Sequence, residues 1–285
     1  MKVGHAGTLD PMATGVLLIA VGEATRLVEQ LHELDKAYSA EFEFGKSSDT
    51  LDCEGEISVR SDVQPPTRSL LEQACRQWTG QVMQRPPRYS AIKINGRRAY
   101  DMARSGAEFE PLPRPVRIDR VELTRFEYPH WSLELQCGSG TYVRSLGRDV
   151  ADAVGNVAIM TALVRSAVGP FTLAQAHSLE EFDSAEAIES RLLSPLEGLP
   201  RWKQVALDAR QVQALRHGQI ITLPPEQWPP LLPGAPNWVG VDCEGQLVAL
   251  IDCSHCGQAR PVRVFQTAMA TNQPSSTSAR QSPES

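Results

Sequence analysis

The sequence predicts an α+β protein, with a mixed, mainly antiparallel sheet and flanking helices, followed by a small separate β unit. Three observations predict it. Lys36 to Gly45 alternates with a period of two, Tyr38, Ala40, Phe42 and Phe44 on one face and Ser39, Glu41 and Glu43 on the other. Val116 to Phe126 and Trp131 to Cys137 read as paired strands, the second placing Trp131, Leu133, Leu135 and Cys137 inward. A break rich in proline and glycine at Ser194 to Arg201 then separates a second run of strands.

Gly15 to Val21 reads as a short buried strand, and Glu23 to His32 as a helix with Leu27, Val28 and Leu31 on one side. After the Lys36 strand, Lys46 to Ile57 is a polar, acidic loop. Thr67 caps a helix through about Trp78, ended by Gly80. Gln84 to Pro87 is an extended loop. Tyr89 to Ile94 reads as a strand turned by Asn95-Gly96, with a short helix near Arg98 to Arg104 before Gly106. Beyond the paired strands, Gly138-Ser139-Gly140 is a tight connection, and Thr141 is expected to cap a helix to about Val154. Ala158 to Val168 is a buried strand, and Ser178-Leu179-Glu180-Glu181 has the spacing of a capping box that opens a helix.

In the second unit Asp208 caps a short helix ended by Gly218. Trp238 to Cys243 and Gln246 to Ile251 form a hairpin around Glu244-Gly245, and Arg260 to Phe265 is a last strand. Gln266 to Ser285 has no apolar periodicity and is expected to be disordered. The expected limits are 1–195 for the first domain, 202–265 for the second and 266–285 for the tail.

Composition narrows the function. A hydrophobic share of 41% excludes wholesale disorder. No apolar run reaches about 18 residues and none follows Met1 as a secretory signal would, so a cytoplasmic protein is expected. Six scattered cysteines fit reduced thiols. The net charge of −6 argues against a bulk grip on nucleic acid only if it is evenly spread. It is not. Arg85 to Arg125 holds ten basic and five acidic residues, net +5, and nine of the ten are arginine. The remainder is −11. Arginine suits bidentate contact with phosphate.

The most informative segment is Gly4-His5-Ala6-Gly7-Thr8-Leu9-Asp10-Pro11-Met12-Ala13-Thr14-Gly15. Its glycines and Pro11 make a rigid, sharply turning loop that displays Asp10. The plainer alternative is a turn aspartate bonded to its own backbone.

Gly4 to Gly15 resembles the G-H-x-G-x-L-D-P-x-A-x-G motif of the TruB family of tRNA pseudouridine synthases. Further blocks agree, in the right order. Asp35-Lys36-Ala37-Tyr38 with Gly45 resembles D-K-x-Y. Arg85 to Lys93 resembles P-P-x-Y-S-A-x-K, and Cys137 to Leu146 resembles C-x-x-G-T-Y-[IV]-R. Leu163-Val164-Arg165-Ser166 with Gly169-Pro170-Phe171 matches the block after that. The resemblance covers about Lys2 to Leu173.

The resemblance implies a pseudouridine-synthase fold, and an isomerase acting on one uridine of the tRNA T loop at position 55. The uracil leaves C1′, rotates and rejoins through C5, without metal or organic cofactor. Asp10 is then the catalytic aspartate, either as nucleophile at C1′ or as base at C2′. Arg144 is the arginine that pairs with it, and Tyr38 the tyrosine that stacks on the flipped base. The Tyr38 hydroxyl is also a candidate for the C5 proton. Leu163 packs on the other side of the base. His5, Arg88, Lys93 and Tyr142 are carried over as substrate-binding positions. The strand pattern alone makes Tyr38 and Leu163 ordinary core residues. The partner implied is the T arm of tRNA, met by a monomer. The stretch Trp202 to Phe265 more weakly resembles a PUA-like β domain. Cys253-Ser254-His255-Cys256 has the spacing of one half of a zinc site, but only Cys243 is near as a third thiol, so no metal is expected.

The chain starts inside the G-H-x-G motif, whereas family members begin with a strand, a K-P-x-G-x-T-S block and a helix. An uncovered strand edge and apolar surface are therefore expected, with poor folding or lost activity. This motivates a rival reading, a catalytically inactive RNA-binding or RNA-folding module. A nucleoside hydrolase would need a second carboxylate, and none accompanies Asp10 in a comparable motif.

Overall fold

The structure, a computed structural model, describes residues 1–90, 92–94, 96–227, 237–255 and 257–266. The chain forms two compact units, Met1–Pro200 and Arg201–Ser285.

The first unit is built on a seven-stranded sheet. Its order is Phe171–Thr172, Ala158–Val168, Lys36–Phe44, His130–Cys137, Arg114–Glu127 and Gly80–Gln84, all antiparallel. The two-residue strand Thr14–Gly15 adds to Ala158–Val168 in parallel. Alternation decides which face is covered. Ala40, Phe42 and Phe44 point inward with Trp131, Leu133 and Leu135 of the neighbouring strand, and the Phe42 and Trp131 rings stack at 4.4 Å. Helices Arg68–Gln77 and Val143–Ala153 cover that face through Leu71, Ala74, Leu146 and Val150. Gly147 shows how close the second helix lies: a Cβ there would stand 2.1 Å from the Phe42 ring. The α+β reading holds, and the strands expected at Lys36, Val116, Trp131 and Ala158 are present.

Several local expectations are corrected. Gly15 to Val21 is not one strand. Gly15 takes φ +101, the left-handed region, and the chain splits between two sheets. Thr14–Gly15 joins the main sheet, whereas Ile19–Val21 pairs with Val3–His5 in a two-stranded ribbon. That ribbon leaves Val3 and Ile19 exposed, with Leu17 exposed beside it. The acidic loop carries a small ribbon, Lys46–Ser47 with Ser58–Val59. Gln84 ends the strand Gly80–Gln84 instead of opening a loop. Only Lys93–Ile94 of the expected strand at Tyr89 is extended, paired with Arg97–Arg98; Asn95 lies outside the described residues.

Thr141 does not cap the Val143–Ala153 helix. Tyr142 is the N-cap residue, and no side chain caps it. Gln84 occupies its backbone instead: the Tyr142 N–H donates to Gln84 Oε1 at 2.8 Å, and Gln84 Nε2 donates to the Tyr142 carbonyl at 3.1 Å. The capping box at Ser178 forms, but it opens only the single 3₁₀ turn Leu179–Glu181. A new cap at Ser184 starts the next short helix, so the turn cannot propagate.

The second unit is a five-stranded sheet ordered Lys203–Ala206, Trp238–Val241, Leu247–Asp252, Gln258–Val264 and Ile221–Thr222. The helix Ala209–Arg216, capped by Asp208 as expected, packs Val212 and Leu215 against Val205, Val248 and Ile251. The hairpin turns at Asp242, whose carboxylate accepts from the Glu244 and Gln246 N–H groups. Residues 267–285 and Cys256 lie outside the described residues, so the expected disorder and half of the Cys253/Cys256 pair do too.

Candidate active site

The Gly4–Gly15 loop leaves its ribbon, turns at Asp10 and ends against Ala158–Val168. The Ala13 N–H donates to the Asp10 carbonyl at 2.9 Å, closing a turn with Pro11 at its second position. The turn occupies the Asp10 backbone, so its carboxylate is free to reach outward. That carboxylate accepts from Arg144 Nη2 at 2.8 Å.

Arg144 sits in the first turn of the Val143–Ala153 helix and is 6% exposed, so it is not the solvent-facing arginine that its position would ordinarily give. Four groups hold its guanidinium. Nη2 donates to Asp10 and to the Tyr89 carbonyl at 3.1 Å. Nη1 donates to the Thr50 carbonyl at 2.7 Å and lies 3.2 Å from Asp52 Oδ2. Asp52 is 3% exposed, and its other oxygen accepts from Thr50 Oγ1 at 2.6 Å and the Glu54 N–H at 3.0 Å. One buried cation thus joins two carboxylates of opposite character. Asp52 is enclosed and saturated, whereas the Asp10 side chain keeps 30% of its surface.

Burial raises the pKa of Asp10 above its ordinary 3.8. Arg144 opposes that shift by its charge and its hydrogen bond, and the Asp52 charge reinforces it. Tyr38 is half-buried on the Lys36–Phe44 strand. Burial raises its hydroxyl too; Arg165 opposes the rise, and the Asp10 charge adds to it. Tyr142 is raised chiefly by burial, with Ser90, Arg114 and Arg144 opposing and Asp10 adding. Leu163 is 5% exposed and lies in the core cluster, two residues before Arg165 on the same strand.

Asp10, Arg144, Tyr38 and Tyr142 therefore share one electrostatic neighbourhood, with Leu163 on the adjacent strand. Other expected residues stand apart. His5 is exposed on the ribbon, opposite Ile19. Arg88 Nη2 donates to the Ala107 carbonyl at 2.8 Å, with its guanidinium over the Phe109 ring. The backbone of Lys93 lies on the Lys93–Ile94 strand. Several cations of the stretch are ion-paired, and two of their acids, Asp35 and Glu127, lie outside it and so reduce its net +5. Arg85 pairs with Glu110, Arg117 with Asp35 and Asp119, Arg120 with Glu122 and Arg125 with Glu127. Arg97, Arg104 and Arg114 are exposed cations in the same stretch.

Two residues at the site carried no role in the sequence reading. Asp52 was one more acid in an acidic loop, and its arginine stands 92 positions later, so no local spacing marks it. Arg165 did leave a signal, as a charged residue inside the apolar run Ala158 to Val168. Among the described residues no group of three or more His, Cys, Asp or Glu side chains is placed to hold a metal ion. No described helix is long and apolar enough to cross a membrane.

The chain as a whole is similar to known proteins. The N-terminal domain of the TruB family of pseudouridylate synthases matches residues 1–143. A tRNA pseudouridine synthase B of Caulobacter sp. (strain K31) is 43% identical over 272 residues, spanning 93% of this chain and 87% of that protein. The tRNA pseudouridine synthase B of Rhodopirellula baltica is 40% identical over 265 residues, spanning 89% and 76%. Among solved structures, a chain of a Cbf5–Nop10–Gar1 complex superposes with a TM-score of 0.66 at 22% identity, covering 93% of this chain and 76% of its own. At that identity the likeness speaks for the fold.

Proposed function

The chain belongs to the TruB family of pseudouridylate synthases, and from that premise we propose that it isomerises uridine to pseudouridine in the T loop of tRNA, with Asp10 as the reacting carboxylate. It is an isomerase acting on tRNA; the T-loop uridine and the residue roles are the finer parts of the reading. The observation that carries the residue roles is the partly exposed Asp10 carboxylate held at 2.8 Å by a buried arginine that is itself fixed on its far side, and the T-loop uridine follows from the family resemblance.

The reaction breaks the bond from N1 of uracil to C1′ and makes a bond from C5 to C1′. The proton displaced from C5 is balanced by one gained at N1. Attack at C1′ and removal of the C2′ proton both need the ionised carboxylate. Burial favours the neutral form, and Arg144 holds the charged one. Arg144 cannot swing away to an RNA phosphate, because Thr50, Asp52 and Tyr89 occupy the rest of its fork. Tyr38 offers a ring to a flipped base, with its hydroxyl near the C5 proton, and Leu163 backs the other face. His5, Arg88, Lys93 and Tyr142 serve as RNA contacts, and Arg97, Arg104 and Arg114 add exposed positive charge for the backbone. The second unit acts as a PUA-like module. The protein works as a monomer in the cytoplasm.

The test uses the full chain and an unmodified tRNA transcript. Asp10→Asn is expected to abolish pseudouridine formation while tRNA affinity stays within about threefold, since the change spares the phosphate contacts. Product formed by the Asn variant would refute the assignment. Product at a site outside the T loop would refute the substrate. Binding of tRNA by the wild-type chain without isomerisation would favour the rival RNA-binding module.

A further inference from the structure

Arg165 is an unusual group to find inside a strand. It is 2% exposed, among the largest fully buried side chains of the molecule. Its neighbours at 163 and 168 are apolar and buried, as a strand core requires. A buried guanidinium is costly unless its donors are used, and it most often faces a carboxylate. Here the donors go to backbone. Nε donates to the Val16 carbonyl at 2.7 Å and Nη2 to the Gly7 carbonyl at 3.1 Å.

Those two carbonyls flank Asp10, three positions before it and six after. The contact continues through the main chain. Gly15 is the register partner of Arg165 in the parallel pair, and the Val16 N–H donates to the Arg165 carbonyl at 2.8 Å. The approach at Gly15 is so close that a Cβ would stand 2.3 Å from the Arg165 carbonyl oxygen. In the other direction Arg165 is the register partner of Tyr38 on the Lys36–Phe44 strand, and its charge opposes the rise that burial gives the Tyr38 hydroxyl. Leu163 lies two positions away on the same strand. One residue therefore ties both flanks of the loop that displays the carboxylate and pairs in register with the residue whose ring is assigned to the base.

We propose that Arg165 is a positioning residue of the isomerisation, a single buried cation that sets the Asp10 loop and the Tyr38 ring relative to each other. The proposal rests on the reading of Asp10 and Tyr38 given above. Arg144 fixes the end of the Asp10 side chain; Arg165 fixes the backbone from which that side chain springs. A carboxylate displaced by about 1 Å from its line of attack loses on the order of a hundredfold in rate with little change in substrate affinity. That split separates positioning from binding.

The experiment compares Arg165→Lys and Arg165→Met in the full chain. It measures tRNA affinity, the single-turnover rate of pseudouridine formation and the folded fraction at the assay temperature. For Arg165→Met the expected result is a Kd within about threefold of wild type and a rate per folded molecule about a hundredfold lower. Arg165→Lys keeps the charge and one donor reach, so it is expected to fold and to recover about tenfold of that loss. Tyr38→Phe combined with Arg165→Met is expected to lose less than the product of the two single losses, because the two residues are register partners on adjacent strands and share one neighbourhood. A wild-type rate per folded molecule in the Lys variant, or in both, would overturn the proposal. So would a loss confined to tRNA affinity, or strict multiplicativity with Tyr38→Phe. An inactive wild-type chain would instead overturn the functional reading on which the proposal stands.

Discussion

The loop that carries Asp10 and the loop that carries Asp52 meet at the same guanidinium, and they are built for opposite ends. The Asp52 loop is closed. Its carboxylate accepts from a hydroxyl and a backbone N–H and faces Arg144 at 3.2 Å, and its Leu51 carbonyl accepts from the Met160 N–H on the main sheet. The Asp10 loop is partly open at its tip, where Arg144 holds the carboxylate, and its shoulders are tied by Arg165. One carboxylate is spent on structure and the other is kept available. Burial raises the Asp10 pKa, and the Asp52 charge pushes the same way, so the second acid acts both as a brace for Arg144 and as a like charge that makes Asp10 harder to ionise.

Replacing each aspartate in turn is the strongest way to break this comparison. Asp10→Asn is expected to cost at least about a thousandfold in rate, because no other group can take its chemical role. Its stability should move the other way. The folded-state pKa is raised, so Asp10 favours folding while it is neutral, below its ordinary 3.8, and that contribution is lost as the pH rises through the raised value. At pH 7 the Asn variant, which cannot ionise, is therefore expected to melt no lower than wild type, with the difference vanishing below about pH 4. A clear fall in Tm at pH 7 would show that Asp10 is structural too.

Arg144→Met should strike both loops. It leaves Asp52 buried without its cation, a loss of about 3–5 kcal/mol in denaturant unfolding, and removes the charge that keeps Asp10 ionised. Asp52→Asn is milder. An amide oxygen can still accept from Thr50 and Glu54, so a cost of about 1–3 kcal/mol is expected. Its diagnostic effect is on pH. With the like charge gone, the acid limb of the rate–pH profile should move to lower pH, whereas weakening Arg144 should move it to higher pH. An unmoved acid limb in Asp52→Asn would remove the electrostatic half of the comparison. Gly147→Ala is the control away from either carboxylate. A methyl 2.1 Å from the Phe42 ring forces the helix outward and should cost about 1–3 kcal/mol in stability, with the rate per folded molecule little changed.

The sequence exposed this site unevenly, for physical reasons. Alternation at Lys36–Phe44 and Trp131–Cys137 was readable because one face of each strand packs on a core, and a period of two survives in the residue types. Asp10 was readable because glycine and proline announce a special backbone on their own. Arg144 needed the family resemblance, since its partner is 134 positions away. Asp52 escaped even that reading, because an acid buried by distant residues has the same local signature as an acid in water. The positive stretch misled in part. The count already includes Glu110, Asp119 and Glu122, but it leaves out Asp35 and Glu127, which lie outside the stretch and pair with Arg117 and Arg125. The split at Gly15 was hidden because the strand pattern continues through it, while the left-handed φ belongs to a contact with a residue 150 positions later.

The ties at Asp10 also set an order of assembly. Its loop is held by bonds to positions 144 and 165, spans of 134, 149 and 158 residues. Contacts that distant cannot form until the chain has been made through residue 165, so during synthesis this centre cannot be completed early. A chain emerging from its N-terminus therefore presents the aspartate early but not the competent carboxylate. Catalytic competence arrives with the strand that carries Arg165, as a property of the finished unit.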